Sequence, residues 1–152
     1  MQTSVHFFIK QAETAEELKE YYRLRWKLLR APWGKPKGSE VDDIEDRCLH
    51  FIAVETNNRD NIIAVARLQF NTTTEAQIRY MAVTTENERR GIGRRLIDTI
   101  ETEAKEFSCS KIILDAREPA VGFYKKLGYQ ITEKTYLLFD QIQHFRMEKY
   151  LS

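Results

Sequence analysis

The sequence is poor in the features that mark disulfide-rich, zinc-binding and membrane-spanning proteins. Its two cysteines, Cys48 and Cys109, lie far apart and form no Cys-x-x-Cys pair, so neither a disulfide framework nor a metal site is predicted. No apolar run approaches the roughly 20 residues that a membrane helix needs. Basic and acidic residues number 24 and 23, so no overall field favours nucleic acid or a membrane as a partner.

The amino terminus lacks the basic region and apolar core that mark a secretory signal peptide, and we therefore expect a cytoplasmic protein. The 152 residues are enough for one domain with a buried core. Because no internal repeat or low-complexity segment divides them, a single domain over residues 1–152 is the expectation.

Two glycines lie between a predicted strand and a predicted helix. Residues 78–83 predict the strand, since they are apolar and β-branched towards their end. Residues 88–95 follow and contain Gly91 and Gly93. Apolar residues then recur at helical spacing, which predicts a helix with one buried face. They are Ile92, Leu96, Ile97, Ile100, Ala104 and Phe107.

This loop has the chemistry of a phosphate or pyrophosphate receptor. Glycine lets the backbone approach a ligand without a Cβ, and the first amides of a helix have no acceptor within it. The positive end of the helix dipole adds to the charge of four flanking arginines. The loop alone fits an ordinary glycine turn with solvated arginines equally well. It matches neither the dinucleotide-binding nor the triphosphate-binding motif.

The remaining pattern predicts an α/β fold with a mixed, mostly antiparallel sheet of about seven strands, flanked by three or more helices. Thr14 and Glu17 have the spacing of a capping box at the start of the first helix, and Gly128 is a predicted helix stop. The other strands are expected near residues 4–10, 50–54, 62–70, 111–114, 129–139 and 141–150, and the other helices near 14–29 and 119–127.

Residues 30–47 form the most irregular part of the chain, with two prolines, two glycines and a cluster of acidic residues. A long loop inside a compact domain is usually either functional or mobile, so both a substrate-facing lid and a solvated connector fit. The acidic cluster hints at a cationic acceptor. Trp26, just before this loop, fits either the core, which is the commoner outcome, or the lining of a cleft.

A second motif follows one strand after the glycine loop, in residues 120–129, and contains Phe123, Tyr124, Gly128 and Tyr129. Taken alone, its aromatic residues are most simply core residues. Together with the glycine loop, in this order and separation, it makes the chain resemble the GNAT superfamily of acyl-CoA-dependent N-acetyltransferases. The resemblance is densest over residues 78–129, and the final strand is similar to that of small bacterial members.

The resemblance implies transfer of an acetyl group from acetyl-CoA, as co-substrate, to a primary amine of a small molecule or peptide. The backbone of Met81, Ala82 and Val83 would pair with the pantetheine arm. Tyr124 would protonate the leaving thiolate. The residues that would wrap the pyrophosphate are Arg89, Arg90, Gly91, Ile92, Gly93 and Arg94.

Two residues depart from the family pattern: Glu88 replaces a usual Gln or Arg, and Arg117 replaces a common Asn. They keep open a catalytically silent acyl-CoA-binding regulatory domain, and a nucleic-acid-binding module is a remote alternative. His144 would either face the cleft or hydrogen-bond within the fold. Oligomeric state stays open, a homodimer included. The general base also stays open among Glu40, Asp42, Asp43 and Glu75.

Overall fold

A computed structural model describes residues 6–152 of the chain. Within this range there are seven strands and three α-helices. Strands β1–β7 span Phe7–Gln11, Leu49–Glu55, Asn58–Phe70, Glu75–Val83, Lys111–Arg117, Gln130–Leu138 and Ile142–Tyr150. Helices α1–α3 span Ala15–Leu29, Ile92–Glu106 and Val121–Lys126.

The strands form a mixed sheet in the order β1-β2-β3-β4-β5-β7-β6. Strands β4 and β5 are parallel, whereas β1–β2, β2–β3, β5–β7 and β6–β7 are antiparallel. This confirms the predicted α/β class with a mostly antiparallel sheet of seven strands. The part of the first predicted strand at residues 4 and 5 lies outside the described residues.

One compact unit contains residues 6–68 and 80–100 of the described chain. Thr14 caps α1, and the predicted capping box with Glu17 is confirmed, since each residue bonds the other's backbone amide. Tyr21 and Leu24 of α1 are buried together with apolar residues of β2 and β3. The inner face of α1 also contains Arg25, which has no exposed surface.

The second unit contains residues 69–79 and 101–152. Residues 75–78 of β4 pair with 111–114 of β5, and β7 pairs along the other side of β5. Glu101 near the end of α2 accepts hydrogen bonds from the Tyr129 hydroxyl at 2.9 Å and from Lys149 Nζ at 2.9 Å. Through Glu101, these bonds join α2 to Tyr129, which follows α3, and to Lys149 of β7.

Two details differ from the sequence-based expectations. Phe107, predicted on the buried face of α2, is 53% exposed, because α2 ends at Glu106 and Ser108 takes a left-handed conformation with φ of +66°. Its ring packs on Phe70 instead. The last helix begins later than predicted, since Glu118–Ala120 form a 3-10 turn.

No helix among residues 6–152 is long and apolar enough to cross a membrane.

Candidate functional site

The arginine-rich turn, residues 88–94, lies in the first unit and runs from the end of the short 3-10 helix Thr85–Asn87 into the first residues of α2. Arg89 has a φ of +63° and Gly91 a φ of +80°, both in the left-handed region that few non-glycine residues adopt. A Cβ at Gly91 would meet nothing within 4 Å. Glycine is therefore favoured at this position for its backbone conformation rather than for lack of space.

The turn leads directly into the amino-terminal end of α2. The Arg95 amide donates to the Gly91 carbonyl at 3.2 Å, so the amides just before it fall where a helix offers no acceptor of its own. Ile92 is buried and anchors the turn, while the side chains of Arg89, Arg90 and Arg94 are exposed. Amides, helix dipole and arginines together suit a bound anion.

Glu88, the first residue of the turn, and Arg95, which follows it, differ from the exposed arginines between them. Glu88 is exposed, and its amide donates to the Thr85 carbonyl at 3.3 Å. The Arg95 guanidinium lies 4.7 Å from the centroid of the Phe7 ring. The Arg95 guanidinium therefore packs on β1, and this contact distinguishes Arg95 from its neighbour Arg94.

Met81, Ala82 and Val83 end strand β4 and are half-buried. Thr84, which follows them, donates its amide to the Ile63 carbonyl of β3 at 2.9 Å. Tyr80, which precedes them, has a left-handed φ of +54°. The strand is thus kinked at its entrance to residues 81–83.

A buried ionic network, which sequence reasoning missed, lies beside Tyr80. Arg25 and Arg67 both have no exposed surface. Glu45 Oε2 accepts from Arg25 Nη1 at 2.7 Å and lies 2.9 Å from Arg67 Nη1. Both carboxylate oxygens of Asp42 accept from Arg67 at 2.8 Å. A signal was present in the sequence, since Arg25 follows Tyr21 by four residues and precedes Leu28 by three, which is the spacing of one helix face.

This network changes the interpretation of the acidic cluster in residues 30–47. Asp42 and Glu45 neutralise buried arginines, and Glu40 is itself buried, its carboxylate accepting from the Gly38 amide at 2.8 Å. Of the five acidic residues, Asp43 and Asp46 are exposed. Three of the five acids therefore have partners within the chain, which weakens the expectation that the cluster faces a cationic acceptor.

The pKa values in the network follow from burial and charge. Burial alone would raise the pKa of Glu45, but the hydrogen bond from Arg25 and the charges of Arg25 and Arg67 outweigh it and hold that pKa below its usual value. Burial lowers the pKa of His50. Its Nδ1 lies 2.9 Å from the Tyr21 hydroxyl, and its Nε2 lies 2.7 Å from the Glu45 carbonyl.

Tyr124 lies in the second unit, on α3, and is 9% exposed. Burial raises its pKa to about 12, against the opposing charge of Arg117, so its hydroxyl is protonated at neutral pH. Its ring meets Phe123 and Tyr129 edge-on, with centroids 5.0 and 5.9 Å away. Tyr124 is therefore packed as a core aromatic residue and carries a proton that it can donate.

His144 and the base candidate Glu75 also have contacts within the fold. His144 is 5% exposed, stacks on Tyr136 at 4.4 Å, and has Nδ1 3.0 Å from the Ile142 carbonyl. Glu75 lies 3.4 Å from Lys111 Nζ. The sequence left both roles of His144 open, and these contacts show the hydrogen bond within the fold.

Trp26 is half-buried and lines a groove of about 570 Å³ in the first unit, which favours the cleft over the core among the two alternatives left open. Its indole Nε1 donates to the Lys35 carbonyl at 3.0 Å. Lys37 Nζ lies 5.4 Å from the centroid of the indole ring. The groove places Trp26 and Lys37 beside the outer side chains of α1.

We predict that Glu45→Gln destabilises the fold by about 3 kcal/mol at neutral pH, because it leaves two buried arginines with less compensating charge. Since the folded pKa of Glu45 is lowered, its contribution is complete above the ordinary value of 4.5 and is lost as the pH falls through the folded value. Urea unfolding at pH 7 and pH 3 measures both effects.

The matched control is Asp46→Asn, which changes an exposed acid in the same segment and should alter stability by no more than about 0.5 kcal/mol. The prediction fails if Glu45→Gln and Asp46→Asn have equal stability at pH 7, or if the cost of Glu45→Gln does not shrink on acidification.

The sequence profile of the Acetyltransferase (GNAT) family matches residues 18–129, which is more than half of the chain. A Bacillus subtilis (strain 168) protein, provisionally assigned as an acetyltransferase, is 25% identical over 144 residues, covering 93% of this chain and 95% of that protein.

Two solved structures share the fold. A Lactobacillus plantarum protein, provisionally assigned as an N-acetyltransferase, has a TM-score of 0.84 at 20% identity, with 96% of this chain and 99% of that chain covered. An aminoglycoside 6'-N-acetyltransferase complexed with coenzyme A has a TM-score of 0.78 at 16% identity, with 95% and 97% covered. With the motifs and topology described above, these matches lead to one conclusion: the chain belongs to the Acetyltransferase (GNAT) family.

Proposed function

We propose that the protein transfers the acetyl group of acetyl-CoA to a primary amine of a small molecule or peptide. The observation that carries the proposal is the arginine-rich turn, where exposed guanidinium groups accompany the first amides of α2. The pyrophosphate of coenzyme A is an anion that such a helix start suits. Membership of an acetyltransferase family and the shared fold with a coenzyme A complex support this choice.

In this proposal the main-chain amides of the turn hold the pyrophosphate, and the backbone of Met81, Ala82 and Val83 pairs with the pantetheine arm. The residues assigned to the pyrophosphate are Arg89, Arg90, Gly91, Ile92, Gly93 and Arg94. Their amides supply fixed donors, and their exposed arginines add positive charge that salt would screen.

The chemistry sets three requirements for the chain. A lysine-like acceptor amine has a pKa of about 10.4 and must lose a proton before it attacks. A backbone amide of residues 81–83 would stabilise the negative charge that develops on the thioester oxygen. The departing thiolate needs a donor, which we assign to Tyr124.

The pKa of Tyr124 limits how it acts. Burial raises that pKa to about 12, whereas an ordinary thiol has a pKa of about 8.5. Complete proton transfer from Tyr124 to the thiolate is therefore uphill. Tyr124 would act chiefly by donating a hydrogen bond as the negative charge develops on sulfur.

We predict that Tyr124→Phe lowers kcat at least about tenfold, because loss of one positioned hydrogen-bond donor typically costs roughly 10²–10³-fold in rate. The Kd for acetyl-CoA should change by less than about twofold, since the ring is kept. Thiol release with a responsive amine and calorimetry measure the two quantities. Tyr136→Phe, which removes the hydroxyl of an exposed tyrosine, is the control. Unchanged turnover in Tyr124→Phe would rule out the donor role.

We also predict that Arg94→Met weakens acetyl-CoA binding by about 1 kcal/mol, or roughly fivefold in Kd, as expected for an exposed charge contact. Arg95→Met is the matched control. It removes the same charge from the next residue, while its stem can still cover Phe7. Titrations at low and high salt compare the two variants. Equal losses would show a general field effect and contradict a contact at Arg94.

The alternative of an acyl-CoA-binding domain without turnover draws on Glu88 and Arg117, both exposed and both unlike the usual family residues. Tight acetyl-CoA binding with no acetylation of any amine in a broad panel would favour this alternative. Amine-dependent thiol release would exclude it.

A further inference from the structure

Strand β4 contains a backbone outlier at Tyr80. Its φ of +54° is left-handed, which is uncommon for any residue but glycine and rarer still for a bulky one. Such a conformation persists only where surrounding contacts hold it. Because Tyr80 immediately precedes residues 81–83, whatever holds Tyr80 also sets the direction of the backbone that we assign to the pantetheine arm.

Three guanidinium groups surround the Tyr80 ring. Their central carbons lie 4.3 Å from the ring centroid for Arg25, 4.8 Å for Arg67 and 5.6 Å for Arg30. All three distances are within the range of cation–π attraction, which strengthens when the cation is desolvated. Arg25 and Arg67 have no exposed surface. The ring is therefore held by charges that water does not screen.

The two buried guanidinium groups are themselves fixed in place. Arg25 donates to the Tyr21 hydroxyl at 2.6 Å and to the Glu40 carbonyl at 3.0 Å, in addition to Glu45. Arg67 makes its two-pronged contact with Asp42, whose Oδ2 is also 3.5 Å from the Tyr80 hydroxyl. A buried charge that leaves its partners is strongly penalised, so these groups have few alternative positions.

We propose that Arg25, Arg67 and the Tyr80 ring form a clamp that keeps Tyr80 left-handed and so orients residues 81–83 for the pantetheine arm. This inference rests on the proposed function. The three are positioning residues, since they act through the backbone of the residues that follow. The clamp acts on the pantetheine half of acetyl-CoA, while the arginine-rich turn binds the nucleotide half.

The test compares two ligands in calorimetry: acetyl-CoA, and ADP 3'-phosphate, which carries the pyrophosphate but no pantetheine. Tyr80→Ala should lower the affinity for acetyl-CoA about tenfold or more, and that for ADP 3'-phosphate by less than about twofold. Tyr80→Phe keeps the ring and should bind both ligands within about threefold of the wild type. Tyr80→Leu, with apolar bulk but no π-face, is the second variant if the alanine variant does not fold, and it should show the same split.

Tyr136→Leu is the matched control. Tyr136 is a partly exposed tyrosine of β6, outside the clamp, so its loss should leave both affinities unchanged. Equal weakening of both ligands by the Tyr80 variants would overturn the clamp in favour of a general structural role. Unchanged acetyl-CoA affinity in Tyr80→Ala or Tyr80→Leu would overturn it as well. Failure of the wild type to bind either ligand would instead refute the proposed function, and the clamp with it.

Discussion

Arg25 and Arg67 have no exposed surface, and the first unit depends on the neutralisation of these two buried charges. A buried guanidinium is tolerated only with carboxylates and hydrogen-bond acceptors around it. Asp42 and Glu45 meet this requirement, and in doing so they tie residues 30–47 to α1 and β3. The same two arginines also lie over Tyr80 at the kink of β4, so one network orders the acidic segment and the end of the strand.

The arginine-rich turn and Tyr124, to which we assign binding and hydrogen-bond donation, differ in their exposure to solvent. The arginine-rich turn keeps its charges in water and exposes the start of α2, as suits the capture of an anion. Tyr124 is packed among aromatic rings, and its raised pKa keeps it protonated. In the proposed function, acetyl-CoA binding depends on exposed charge and should weaken as salt is added. Hydrogen-bond donation by Tyr124 depends on burial and should not change with salt.

Local patterns in the sequence predicted most of the architecture. The capping box of Thr14 and Glu17, the strand alternation and the glycine turn all depend on residues a few positions apart, and the structure confirms them. The buried network could not be predicted in this way, since Arg67 meets Asp42 across 25 positions and charged residues are ordinarily exposed. Phe107 fitted the helical period, but α2 ended one residue before it.

Calorimetric titration of the wild type and of Gly91→Trp tests the claim that the arginine-rich turn binds acetyl-CoA. We expect saturable binding at one site in the wild type. In Gly91→Trp, a bulky side chain at a backbone φ of +80° disrupts the turn, and binding should be lost while the thermal unfolding transition remains cooperative. No binding by the wild type, or equal binding by both proteins, would contradict the claim.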